Sequence, residues 1–359
     1  MHTDEFDYEL PEELIAQAPL PRRDASRLLH VQRETGAWAH RRFTELPALL
    51  RRGDLLVLND SRVIPARLMG RKADTGGRVE LLLVRPAADV APATALEGEA
   101  KGLAWTCLGQ ASKPIRAGAR LEFDGGLMAE VEGAKGGGEY LVRFTSSLAS
   151  LQAALERAGQ LPLPPYIHRA PSADDAERYQ TIYARTLGSV AAPTAGLHFT
   201  NEVFAALEAA GVGQVSVTLD VGPGTFLPVR EGDVSQHKMH RERYTVPLEA
   251  AEAIRATRQA GGRVIAVGTT VTRTLEGAAA ATGEVQPGAS DTALFITPGF
   301  RFRVIDGLVT NFHLPKSTLV MLVSALLGRE RTLAAYAEAV RERYRFFSYG
   351  DSMFIEGGA

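Results

Sequence analysis

Hydroxyls, imidazoles and glycine-flanked amides recur in this chain at a few short segments. In AAPTAGLHFT (residues 191–200), small residues surround a single histidine, His198. Thr200 suits a helix N-cap, and the spacing predicts a helix over 201–210 closed by Gly211. A loop of this kind brings a ligand close to the bare N–H groups of Thr194, Ala195 and Gly196, where the helix dipole favours negative charge. Four further stations share its character. LNDSRV (58–63) ends an apolar run in Asp60 and Arg62, and DVGPGTFLPVR (220–230) carries Asp220, Gly224 and Thr225. Gly268-Thr269-Thr270 opens a helix bearing Arg273 and Glu276, while TNFHLPKST (310–318) carries His313, Lys316 and Ser317 about Pro315. Imidazoles titrate near neutral pH, so His198 and His313 are the candidates for proton transfer, with Asp60 as the rival base.

Several chemistries are disfavoured. Gly222-Pro223-Gly224 lacks the third glycine and trailing acid of a dinucleotide fingerprint. No serine nucleophile elbow is present. His237 and His240 stand three apart, but Lys238 and Arg241 beside them would repel a cation, so no metal is expected. A single cysteine, Cys107, excludes an internal disulfide and reads as a small buried hydrophobe. Met1–Glu13 is acidic rather than a basic leader, and the apolar run 318–327 is too short to span a bilayer. A cytoplasmic protein with no membrane partner is expected.

The net charge of −2 argues against nucleic acid, but its distribution does not. Between Leu20 and Lys72, 12 Lys/Arg face 5 Asp/Glu, a local excess of +7. The doublets Arg22–Arg23, Arg41–Arg42 and Arg51–Arg52 are candidate phosphate contacts.

The elements that must position these groups fall into two textures. The length of 359 residues and 45% apolar content predict two domains with packed interiors. Residues 1–65 and 148–359 alternate strand and helix patterns. Strands are predicted at 27–31, 55–58, 214–219, 263–267, 292–296, 308–311 and 352–355. Helices are predicted at 44–51, 148–158, 248–259, 271–280, 316–327 and 332–344, with a short one ending near Gln17. Residues 66–147 instead hold six short segments separated by glycine-rich turns, with 87–99 read as a surface loop. The expected fold is thus a mixed-sheet α/β domain interrupted by an inserted small antiparallel β-barrel.

In combination these stretches resemble the S-adenosylmethionine:tRNA ribosyltransferase-isomerase family of queuosine biosynthesis. The likeness runs nearly the full length, through FDYELPEELIAQAPLPRRDASRLL (6–29), LNDSRVIPARL, LPLPPYI (161–167), APTAGLHFT, VGPGTFLPV, HKMHRE (237–242), VGTT, TALFITPG (292–299), TNFHLPKSTLVMLVSAL and YRFFSYGDSM (344–353). The resemblance implies an α/β domain with an inserted barrel. It also implies transfer of the ribosyl part of S-adenosylmethionine to 7-aminomethyl-7-deazaguanine at the tRNA wobble position, with rearrangement to epoxyqueuosine and release of adenine and methionine. The donor is then a consumed co-substrate, with no prosthetic group, and a monomer is expected.

Two departures stand out. The family usually reads Leu-His-Val-Gly where this chain has Leu219-Asp220-Val221-Gly222, and Gly-Thr-Thr-Ser-Val-Arg where Gly268–Arg273 has Val271-Thr272. For the implied reaction, a base must take the C5′ proton beside the sulfonium, a task for His198, His313 or Asp60. Lys316 and the amides of Thr194–Gly196 are candidates for the methionine carboxylate, and Asp220 or Asp351 for the aminomethyl group or ribose hydroxyls. Arg62, Gly224, Thr225, His240, Thr269 and Arg273 complete the expected substrate-binding set, and Arg22, Arg23, Arg41, Arg42, Arg51 and Arg52 the tRNA-binding set.

Overall fold

Leu55–Asn59 is buried at every position, as a strand must be when both faces of its sheet are covered. In the computed structural model, which describes residues 1–226, 232, 234, 239 and 241–358, this strand sits inside a nine-stranded sheet. It pairs in parallel with Gly213–Leu219 and Val264–Val267, and Gly307–Asn311 continues the parallel set. Ser352–Glu356 then runs antiparallel, followed by Arg27–Gln32 and the edge strand Trp38–Arg42. Glu242–Val246 and Gly288–Thr292, both antiparallel, finish the opposite edge.

Side chains alternate between two cores, as the strand period requires. Leu55 and Val57 pack with the helices Leu248–Gln259, Thr269–Ala278 and Thr318–Leu327. Leu56 and Leu58 pack on the other face against Phe43, Phe199, Val203 and Leu207. The amino ends of the parallel strands are clamped by a buried ion pair. Arg263 and Asp54, each 2% exposed, bond at 2.6 Å, and Arg263 also reaches Glu356 at 2.8 Å.

Between Ala66 and Phe144 the chain builds a six-stranded antiparallel barrel. Its strands are Arg67–Lys72, Arg78–Pro86, Ala104–Ala111, Arg120–Phe123, Met128–Gly136 and Glu139–Phe144. Arg67–Lys72 pairs with both Arg78–Pro86 and Arg120–Phe123, which closes the barrel and removes the open edges a flat sheet would have. Leu68, Leu81, Trp105, Cys107, Val131 and Val142 fill the interior, and burial pushes the Cys107 thiol well above its usual range.

Several elements differ from expectation. The strand predicted at 292–296 is Gly288–Thr292, a mostly exposed edge that pairs through its backbone while Leu294 and Phe295 pack outside the sheet. The segment 87–99 contains the helix Pro92–Glu97, with Pro at its first turn, burying Ala95 and Leu96 against the barrel. Residues 44–51 form only a 3-10 turn and the one-turn helix Leu46–Leu49, and 6–20 forms 3-10 turns. Trp38–Arg42 is largely exposed, so it has no apolar alternation to betray it. Among the described residues, no helix is long and apolar enough to cross a membrane, and no group of three His, Cys, Asp or Glu is placed to hold a metal ion.

Candidate active site

The carboxyl ends of parallel strands are where open α/β sheets leave a crevice. Here Val264–Val267 runs into Gly268–Thr270, and Gly307–Asn311 runs into Phe312 and His313. These ends border a pocket of about 590 Å³, closed on other sides by Pro193–Ala195 and by Tyr166, Phe347 and Ser348. Thr194–His198 forms a 3-10 turn that leads to the helix Asn201–Ala209, whose Val203 N–H is capped by Thr200 Oγ1 at 3.3 Å. A Cβ on Gly196 would fall 2.1 Å from the Tyr183 hydroxyl, so only glycine lets the turn settle there.

His313 lines the pocket and is 8% exposed. Its Nε2 lies 2.8 Å from Thr310 Oγ1, its backbone N–H donates to the Tyr336 hydroxyl at 3.2 Å, and its carbonyl accepts from Tyr8. Burial lowers its pKa to about 3, so the ring is neutral at pH 7.

His198 sits behind this wall, in a smaller cleft with Ser26, Arg23 and Arg178 that touches the pocket through Ser348. Asn311 Nδ2 donates to the Phe347 carbonyl at 2.8 Å, which leaves Asn311 Oδ1 as the acceptor 3.3 Å from His198 Nε2. The Nε2–H tautomer follows, with Nδ1 accepting from Ser26 Oγ at 2.8 Å. Burial lowers the His198 pKa to about 4, against the Asn311 bond and in concert with Arg345 and Arg23.

The aromatic wall is held under strain. Phe347 has φ of 70°, a left-handed conformation that costs a non-glycine residue roughly 1–3 kcal/mol. Its N–H donates to the Phe312 carbonyl, and its own carbonyl accepts from Asn311 and from Gly350 N–H. Its ring meets Tyr166 at a centroid distance of 4.6 Å, and the Tyr166 hydroxyl bonds Ser348 Oγ at 2.7 Å. Among the described residues, no side chain lining this pocket carries a formal charge.

Residues 3–355 match the family of queuosine biosynthesis proteins. The chain belongs to that family. It is 59% identical to the S-adenosylmethionine:tRNA ribosyltransferase-isomerase of Anaeromyxobacter sp. (strain Fw109-5), over 99% of each chain. It is 54% identical to the enzyme of the same name from Citrifermentans bemidjiense, over 99% of this chain and 100% of that one. The crystal structure of an S-adenosylmethionine tRNA ribosyltransferase from Thermotoga maritima is 38% identical, covers 98% of this chain and 99% of its own, and superposes with a TM-score of 0.54.

In this queuosine biosynthesis family member, the pocket gathers Thr194, Ala195, Thr269 and His313 from the expected set. Other expected residues lie elsewhere. Asp60 pairs with Arg185 at 2.9 Å and accepts from Thr218 Oγ1 at 2.6 Å, and Arg62 is exposed beside it. Asp220 follows Gly213–Leu219 on the same rim. Burial pushes its carboxyl up to about 7, with Arg243 opposing and Glu242 and Asp60 adding to the shift. Arg273 is spent on a buried ion pair with Glu242 and on the Leu294 carbonyl. Lys316 is held by Asp4 at 2.7 Å and Asp7 at 3.1 Å. Asp351 accepts the backbone N–H groups of Arg27 and Arg345, each at 2.8 Å. Gly224 lies in the 3-10 turn Pro223–Phe226, while His237, His240 and the side chain of Thr225 fall outside the described residues.

The arginine doublets divide by topology. Arg22 is exposed and paired with Asp24, whereas Arg23 is half-buried and donates to the carbonyls of Glu177, Arg178 and Leu197. Arg41 and Arg42 pair in register with Leu28 and Arg27, which places them at the pocket end of the sheet. Arg51 and Arg52 precede Leu55 and so lie at the opposite end, roughly 17 Å away along a five-residue strand.

Tyr166, Asn311, Phe347 and Ser348 do not stand out by residue chemistry. Tyr166 and Phe347 fall within LPLPPYI and YRFFSYGDSM, two of the stretches that carry the family resemblance, but neither ring has a titratable or nucleophilic group near neutral pH to single it out. Nothing local marks either as a pocket wall.

Proposed function

We propose that this chain transfers and isomerises the ribosyl part of S-adenosylmethionine onto 7-aminomethyl-7-deazaguanine in the tRNA anticodon wobble position. The products are epoxyqueuosine in tRNA, adenine and methionine. The observation that carries this reading is a pocket whose one imidazole is kept uncharged, next to a pair of aromatic rings and, among the described residues, no charged side chain. A sulfonium bears a positive charge that aromatic faces attract and that a lysine or arginine in the wall would repel.

The sulfonium acidifies the C5′ protons, so a weak but well-placed base suffices. His313 fits that role better than His198. Its Nε2 is tied to Thr310, leaving Nδ1 as the nitrogen available to substrate, whereas both His198 nitrogens are engaged by protein groups. His198 acts as a positioning residue, since it orients Asn311 and through it the strained Phe347 carbonyl. The aminomethyl group must approach as a neutral amine to attack, and Asp60 and Asp220, which lie at neighbouring strand ends outside the pocket lining, have no part in that attack. Arg22, Arg41 and Arg42, at the pocket end of the sheet, are the phosphate contacts.

Incubation with S-adenosylmethionine and precursor-bearing tRNA is expected to release adenine and methionine together and to move ribose carbons of labelled donor into RNA. Transfer of the labelled methyl carbon instead, or tRNA binding without adenine release, refutes the proposal. His313→Ala is expected to lower turnover by about 10²–10⁴-fold. A His313→Ala enzyme with normal turnover removes the imidazole from the chemistry.

A further inference from the structure

The helix Thr269–Ala278 begins without a cap. Its N-cap is Gly268, at φ 98° and ψ 155°, which has no side chain to accept a hydrogen bond. Thr272 is the first residue to donate back, to the Gly268 carbonyl at 3.2 Å, so the preceding amides of Thr269, Thr270 and Val271 have no partner within the helix. Gly268, Thr269 and Thr270 all line the pocket.

A second, independent observation comes from Thr270. It is only 6% exposed, yet its Oγ1 has no hydrogen-bond partner among the described residues. Buried hydroxyls are ordinarily satisfied, and this orphan belongs to a residue of the pocket wall, in the first turn of the uncapped helix. The other helix that starts at this pocket is closed, because Ser317 Oγ accepts the Val320 N–H at 3.3 Å. The open terminus favours an anion. With no Lys or Arg among the described wall residues, that anion is a monoanion satisfied by neutral donors rather than a phosphate dianion.

We infer that the uncapped start of this helix, together with the Thr270 hydroxyl, holds the α-carboxylate at the methionyl end of the donor. This rests on the reading of S-adenosylmethionine as ribosyl donor. It replaces Lys316 in that role, since Asp4 and Asp7 already occupy the Lys316 ammonium. Anchored there, the amino-acid tail leaves the sulfonium and C5′ to the remaining walls, where Tyr166, Phe347 and His313 stand.

The test is calorimetric binding of S-adenosylmethionine and of its decarboxylated analogue, which differs only in lacking the carboxylate, to the full-length wild type, Thr270→Val and Thr270→Ser. The wild type is expected to bind the analogue at least about 10-fold more weakly than the donor. Thr270→Val is expected to weaken the donor about 10-fold and leave the analogue within about 2-fold, while Thr270→Ser retains donor binding. Equal wild-type affinities for the two ligands, or a Thr270→Val loss shared equally by both, overturn the subsite while leaving the donor reading intact. A wild type that binds neither ligand refutes the donor reading, and the subsite falls with it.

Discussion

Replacing Asp220 with Asn is expected to stabilise the protein at alkaline pH, although it removes a charged group from the rim of a candidate active site. Asp220 Oδ1 is buried without a hydrogen-bond partner among the described residues, packed so closely against Gly188 that a Cβ there would approach it to 2.6 Å. Burial raises its pKa from 3.8 to about 7. A carboxyl whose folded pKa is raised favours the fold fully below the unfolded pKa, and that contribution is lost as pH climbs to the folded value. The loss therefore runs from about pH 4 to about pH 7, and about three pK units set a ceiling of about 4 kcal/mol. Arg243 relieves part of the cost, and a buried amide still needs partners, so a gain of about 1–3 kcal/mol is expected for Asp220→Asn at pH 8. For a chain of 359 residues, each kcal/mol moves the midpoint by roughly 1–2 °C. Thermal unfolding of both proteins from pH 4.5 to pH 8.5 would show curves that approach each other at the acid end, separate progressively up to about pH 7 and keep a constant separation above it. Parallel curves, or an Asn variant less stable at pH 8, would show that Asp220 is ionised at little cost and that its isolation is not real.

Arg263→Met strips the buried Asp54 of its partner at the amino ends of the parallel strands and should cost about 3–5 kcal/mol in urea unfolding. Arg41→Gln/Arg42→Gln should weaken tRNA binding and flatten the slope of its salt dependence by about 0.7–0.9 for each phosphate no longer neutralised, while Arg51→Gln/Arg52→Gln should leave the slope unchanged. The reverse ranking would place the RNA at the other end of the sheet. Gly196→Ala puts a Cβ 2.1 Å from the Tyr183 hydroxyl and should destabilise the fold by about 1–3 kcal/mol, with a matching fall in adenine release when the turn shifts. Wild-type stability in that variant would mean the turn can move freely.

Much of the architecture was legible from residue order. The buried run at 55–58, the N-cap at Thr200, the helix 248–259 and the six barrel strands all announce themselves by local periodicity and punctuation, which are properties of neighbours in sequence. Where an element is exposed, as at Trp38–Arg42, or where apolar residues pack outside the sheet, as at Leu294–Phe295, local pattern loses its meaning and the prediction slips.

The stations of small residues and hydroxyls were likewise visible, but not what each group would be doing. Residue order alone showed which side chains were on hand: two histidines in polar turns, a glycine opening a helix, and arginines in pairs. Folding is what commits Lys316, Arg23 and Arg273 to internal partners and sets Arg51–Arg52 on the far side of the sheet from Arg41–Arg42. It alone enclosed His198 while leaving His313 on the pocket wall, and it left Thr270 without a partner among the described residues. The reason is physical. Propensity and capping act over a few residues, whereas burial, charge pairing and pocket walls are made by segments far apart in the chain, whose meeting is set by strand order and register.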